Sequence, residues 1–144
     1  MEPSLHVSLN VSDAARSRDF YAAFFGVDPA KVKPGYVKFV TSRPTLHLAL
    51  NETGHPPALN GSGSLSHLGL RVGSTSEVDA WKERVTSRGV ASFDEKDTTC
   101  CYARQDKFWV TDPDGNRWEV YTVLEDVKTA PAEPTACCDA TCCA

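Results

Sequence analysis

The sequence predicts an α+β fold built from two βαβββ modules, and three observations carry that prediction. From Ser4 to Val11 the residues alternate, with Leu5, Val7, Leu9 and Val11 on one face and His6, Ser8 and Asn10 on the other. That is the period of a strand with one buried face. His67-Leu68-Gly69-Leu70-Arg71-Val72 repeats His6-Val7-Ser8-Leu9-Asn10-Val11, with apolar residues at the same three positions. Each opening strand leads into a helix pattern that stops at a Gly-Val pair, Gly26-Val27 and Gly89-Val90, glycine being the usual residue just past a helix end. An internal duplication of this kind predicts two half-cups joined edge to edge into a half-open, cup-shaped mixed barrel, with helices outside and a concave polar face inside.

The elements follow in order. Ser12-Asp13 caps a first helix that runs through Phe25, with Phe20 and Phe24 one turn apart. A connection marked by Pro and Gly leads to two short strands, 35–41 and 45–50, around Ser42-Arg43-Pro44. Residues 51–66 are rich in Asn, Gly, Pro and Ser and read as the connection between halves. In the second half Ser74 and Glu77 are spaced like a capping box, and Val78, Trp81 and Val85 recur at helical intervals. Strands are expected over 90–93, around 100–104, and over 107–111 and 117–124. The last two flank the turn Asp112-Pro113-Asp114-Gly115-Asn116. The charged run Asp94-Glu95-Lys96-Asp97 reads as a mobile loop. Module one spans about 4–51, a linker 52–65 and module two about 66–125, all within a folded domain of 1–126. From 127 to 144 Ala, Pro, Thr and Cys follow without a core pattern, and a disordered tail is expected.

Composition bounds the function classes. A chain of 144 residues, 41% hydrophobic and 24% charged, is ordinary for a soluble globular protein with a substantial core. A net charge of −4 with interspersed signs argues against nucleic acid or an anionic membrane as partner. No signal peptide or membrane span is read, and the expected location is cytoplasmic. Six cysteines fall in three adjacent pairs, Cys100–Cys101, Cys137–Cys138 and Cys142–Cys143. Adjacent cysteines are poorly placed to bridge one another. As free thiols side by side they form a soft chelate suited to thiophilic metals and metalloids.

Strand parity gathers the candidate site. With the apolar faces of both opening strands against the helices, His6 and His67 point into the cup at equivalent places. Glu119 is the only acid in Trp118-Glu119-Val120-Tyr121, and a buried carboxylate is costly unless paired or metal-bound. Two imidazoles and one carboxylate form a donor set that leaves positions open on a divalent metal. His47, between Leu46 and Leu48, faces the same cavity as the first half's counterpart of Glu119, either as an accessory ligand or as a pocket-lining histidine. In a regular strand Cys100 and Cys101 point to opposite faces. Either one thiol faces the pocket, or residues 97–101 are irregular and a loop swings both over the metal. Tyr102, Trp109 and Tyr121 are candidates for the pocket wall or for plain core, while Lys107 and Arg104 read as exposed strand charges in preference to groups that orient oxygen species.

Several stretches carry a family resemblance. They are Phe24-Phe25-Gly26-Val27, Lys33-Pro34-Gly35-Tyr36, Leu48-Ala49-Leu50-Asn51, His67-Leu68-Gly69-Leu70, Thr99-Cys100-Cys101-Tyr102, Gln105-Asp106-Lys107 and the run from Trp109 to Gly115. Over about residues 4–124 the chain resembles the vicinal-oxygen-chelate superfamily of glyoxalase I, fosfomycin-resistance proteins and extradiol dioxygenases. Within that superfamily it is most similar to organoarsenical carbon–arsenic lyases and their cadmium-induced relatives. The resemblance implies that His6, His67 and Glu119 ligate Fe(II) and that Cys100 and Cys101 hold arsenic at the reacting centre, beside Tyr102 and Trp109. The implied activity is O2-dependent cleavage of the C–As bond of a trivalent organoarsenical such as methylarsonous acid to arsenite, for arsenic resistance. The tail thiols Cys137, Cys138, Cys142 and Cys143 are accessory candidates for arsenic capture. A thiol-based arsenite or Cd(II) binder and another metal-dependent enzyme of the superfamily are the alternative readings, and monomer and homodimer are equally compatible with the pattern.

Overall fold

Alternation makes β1 (Leu5–Val11) a strand, but only its second half is buried: Leu9 and Val11 are in the core, whereas Leu5 is 65% exposed. The computed structural model describes residues 2–54, 64–100 and 103–126. The chain divides into two compact units, Met1–Ala58 with Asp112–Asp114, and Leu59–Thr111 with Gly115–Ala144.

In the first unit β1 leads into α1 (Ala14–Phe25), followed by β2 (Lys31–Lys33), β3 (Tyr36–Ser42) and β4 (Thr45–Glu52). The sheet order is β1-β4-β3-β2, with β1 parallel to β4 and the remaining pairs antiparallel. The Asp13 carboxylate accepts the Arg16 N–H at 2.8 Å and so satisfies one of the helix's orphan donors. Gly26, at φ +68, closes the helix by donating its N–H to the Ala22 carbonyl at 2.9 Å. Tyr21, Phe24 and Phe39 are fully buried and, with Phe25, build an aromatic core between helix and sheet. The short strand β2 was not expected from the sequence. All three of its residues are exposed, and its two lysines suit an edge that must not recruit another strand. The turn Asp112–Asp114 belongs to this unit: Tyr21 donates its hydroxyl to Asp112 Oδ2 at 2.6 Å, and Ser12 donates its backbone N–H to Asp114 at 3.1 Å.

The second unit repeats the topology. It contains β5 (Leu68–Arg71), α2 (Thr75–Ser87), β6 (Phe93–Cys100), β7 (Ala103–Thr111) and β8 (Arg117–Asp126), in the order β5-β8-β7-β6 with β5 parallel to β8. Ser74 caps α2 by accepting the Glu77 N–H at 3.3 Å. The reciprocal bond differs from the expected box: Glu77 reaches past the cap to accept from the Gly73 N–H at 2.5 Å. Asp106, on the face toward α2, accepts from the Thr75 hydroxyl at 2.8 Å and from the Asp97 N–H at 2.7 Å, joining helix start, β6 and β7.

Residues 94–97 are not a loop. They lie within β6, where pairing with β7 slips between Glu95 and Thr98 and Asp97 takes φ +50. A β-bulge absorbs the one extra residue there, Lys96 and Asp97 standing against Asp106. Charges on α2 tie the segment down, Lys82 to Asp94 and Lys96 to Asp79. No described helix is long and apolar enough to cross a membrane. The tail with Cys137, Cys138, Cys142 and Cys143 lies outside the described residues.

Candidate active site

Side chains directly opposite one another in neighbouring strands share a face, so the register of the second sheet defines two rows. One row runs Phe93, Trp109, Glu119 and Gly69; the next runs Glu95, Lys107 and Tyr121. The acid that the sequence singled out therefore sits on a face with an imidazole, two cations and two aromatic rings within reach.

His67 stands immediately before β5, with its Nε2 3.5 Å from Glu119 Oε1. Its other ring nitrogen, Nδ1, meets the Ser66 hydroxyl at 2.9 Å, which orients the imidazole. The ring also packs edge-on against Trp109, centroids 5.0 Å apart. Gly69 makes room for the acid: a Cβ there would fall 3.1 Å from both Cγ and Oε1 of Glu119. The second carboxylate oxygen, Oε2, accepts a hydrogen bond from Lys107 Nζ at 3.0 Å, in an ion pair whose side chains are only 12% and 3% exposed. Lys107 is thus a buried counter-ion and not the exposed strand charge its position in the sequence suggested. Its ammonium is 5.5 Å from the Trp109 ring centroid, and the Arg117 guanidinium is 4.6 Å from the same ring. Trp109 is buried, and its indole N–H has no hydrogen-bond partner among the described residues.

The pair His67–Glu119 fits a metal ion. Two donors sharing a first-row ion at about 2.1 Å each stand about 3.0–3.4 Å apart. Nε2 and Oε1, at 3.5 Å, need almost no movement to match that. Among the described residues, no group of three or more His, Cys, Asp and Glu side chains gathers to hold an ion.

His6 belongs to the first unit, exposed on β1 and directly opposite His47 on β4. The register corrects the place of His47 in the repeat. Ser8 pairs with Ala49 as Gly69 pairs with Glu119, so the first unit's counterpart of Glu119 is Ala49, and His47 corresponds to Arg117. Cys100 ends β6 with its backbone regularly paired to Ala103; its thiol, Cys101 and Tyr102 lie outside the described residues. The irregularity expected at 97–101 falls earlier, at the bulge between Glu95 and Thr98. Arg104 lies among opposite charges, 3.3 Å from Asp97 and 3.4 Å from Glu125. Lys107 and Gly69 are the site residues that the sequence did not disclose as such; the signal available was their two-residue spacing from Trp109 and from His67 on alternating strands.

Known proteins establish the family and the fold. Residues 4–120 match the model of the glyoxalase/bleomycin resistance protein/dioxygenase superfamily. A trivalent organoarsenical cleaving enzyme from Bacillus sp. strain MD1 is 45% identical over 92% of this chain and 81% of its own length. The cadmium-induced protein CadI of Mycobacterium tuberculosis is 43% identical over 94% of this chain and 92% of its own. Among solved structures, a glyoxalase/bleomycin resistance protein/dioxygenase from Alicyclobacillus acidocaldarius superposes with a TM-score of 0.69 at 15% identity, covering 85% of this chain and 92% of that one, which speaks to the fold. Duplicated topology, a histidine and a carboxylate converging on one sheet face, and a family match across nearly the whole folded part lead to one assignment: the chain belongs to the glyoxalase/bleomycin resistance protein/dioxygenase superfamily.

Proposed function

We propose that this protein cleaves the carbon–arsenic bond of trivalent organoarsenicals in a reaction that uses Fe(II) and O2. The observation that carries the reading is the adjacent cysteine pair Cys100–Cys101 of the sequence, with β6 ending at Cys100 in the sheet whose β8 carries Glu119 within reach of His67. A relative named as a trivalent organoarsenical cleaving enzyme, alike over nearly the whole chain, supports it. His67 and Glu119 would hold the iron together with His6, the third ligand that the resemblance implies. When bound, Fe(II) supplies the one-electron chemistry through which ground-state O2 reacts.

The protein's own residues account for the rest. The Cys100 and Cys101 thiols exchange with two hydroxyls on arsenic, forming two As–S bonds and releasing two waters, with no change in oxidation state. Anchoring arsenic in this way turns an encounter between three species into a reaction within one complex. Trp109, walled by His67 and Arg117, excludes water from one side of the site. For the methyl substrate the balance closes with a single O2 as oxidant. The C–As bond breaks and the carbon leaves as formaldehyde, while two waters hydrolyse the two As–S bonds, returning both thiols and releasing arsenic as arsenite.

The test is aerobic incubation of reduced, Fe(II)-loaded protein with methylarsonous acid, following O2 uptake, arsenite and formaldehyde. All three should appear, and all should be lost in a Cys100→Ser/Cys101→Ser variant. Tight arsenic binding with no O2 uptake would instead favour the second reading, thiol-based sequestration of arsenite or Cd(II). The likeness to a protein named as cadmium-induced is what keeps that reading in view.

A further inference from the structure

Lys107 stands between two carboxylates on one sheet face. Glu119 lies on the neighbouring diagonal and takes the ammonium at 3.0 Å. Glu95 lies directly opposite on β6, and its Oε2 is buried without a hydrogen-bond partner among the described residues. A buried carboxylate oxygen with nothing to accept from is costly, and a chain does not keep one beside a lysine without consequence. The arrangement as it stands satisfies one acid and starves the other.

A divalent cation at His67 and Glu119 reverses that preference. The metal would sit within a few ångströms of the ammonium that now neutralises Glu119, and two such cations repel strongly inside a protein. Lysine has a flexible four-carbon stem and a mobile point charge, so it can change partners without moving the backbone. The acceptor it needs is already on the adjacent strand.

Building on the metal-site reading above, we propose that Lys107 is a transferable counter-ion, holding Glu119 in the metal-free protein and passing to Glu95 when a divalent metal takes Glu119. Glu119 is thereby kept neutralised and in place before metal arrives. Glu95 sets how readily the site gives up its lysine, and so how tightly it holds metal. Lys107 and Glu95 are positioning residues in this account, since neither touches the metal.

The proposal is tested by anaerobic calorimetric titration of the full chain with Co(II), with no turnover involved. Lys107→Met removes the competitor and is expected to tighten Co(II) binding about tenfold or more, within the range typical of changes around metal ligands. Glu95→Gln, nearly isosteric, removes the second resting place and is expected to weaken binding about tenfold. In the Lys107→Met background the Glu95→Gln change should have no effect, because the two act only through each other. An unchanged or weakened affinity in Lys107→Met would overturn the proposal, as would a Glu95→Gln effect that persists without the lysine. The second result would mean simple charge attraction. Should Lys107→Met not fold, Lys107→Gln, which also removes the cation, supplies the same cycle. Failure of the parent protein to bind Co(II) would remove the metal site itself, whereas normal parent binding with no coupling would remove only the transfer.

Discussion

Replacing Gly69 with alanine places a methyl group 3.1 Å from Cγ and Oε1 of Glu119, so the side chain must give by a few tenths of an ångström beside His67. A Gly69→Ala variant is expected to keep its fold and to lose about tenfold or more in Co(II) affinity, read by calorimetry. Lys107→Met has a different signature in the metal-free protein. It leaves a buried carboxylate without its cation and should cost about 3–5 kcal/mol of stability, measured by urea unfolding in the presence of chelator. At Trp109 the unpaired indole N–H makes the smaller aromatic tolerable. Trp109→Phe should stay within about 1 kcal/mol of the parent, whereas Trp109→Ala loses about 3–5 kcal/mol with the ring itself.

At the scale of elements, Asp106 fastens the start of α2 to the bulged strand β6. Burial pushes its carboxyl pKa up, but the Asp97 N–H, the Thr75 hydroxyl and the charges of Lys96 and Arg104 outweigh burial and hold it below the ordinary carboxylate value. A group with a depressed folded pKa contributes stability that is present above its unfolded pKa, about 3.9, and lost as pH falls through the folded value. Denaturation of the parent should therefore show a loss of stability below about pH 4, and Asp106→Asn should be less stable at neutral pH with a flatter profile through that range. Elements also mark where sequence reasoning reached and where it stopped. Both helices were legible because their signals are local: Asp13 and Ser74 at the starts, Gly26 and Gly89 at the ends. Residues 94–97 were misread because four charges in a row resemble a loop, and what makes them strand is backbone pairing with β7, a non-local partnership, with Asp79 and Lys82 on α2 meeting two of the charges. β2 escaped because three exposed residues carry no burial pattern at all.

Across the whole molecule the duplication was visible from His6 and His67 alone, and each sheet shows the same strand order. Candidate donors were legible too, because an acid among aromatics in a strand is conspicuous. Lys107 was not, because nothing short of register reveals that an apparently surface charge lies diagonally across from a buried acid. The same lack of register misplaced His47 by two positions in the repeat, onto the same face but the wrong residue.

Register also gives the duplication a history. Where the second unit carries Glu119, the first has Ala49, 4% exposed, and where the second has Lys107, the first has Tyr36. Both charged partners are absent from the first copy together. Gaining or losing such a pair one residue at a time would pass through a charge without its partner, so the two positions are expected to change together. Lys38 lies directly opposite Ala49 in the first sheet, so an acid at 49 would already face a cation. Ala49→Glu should then cost less than the about 3–5 kcal/mol of an uncompensated buried charge in thermal or urea unfolding, and adding Lys38→Met should restore the larger loss. A small loss that grows when Lys38 is removed would show that the first copy still has room for an ion pair of its own.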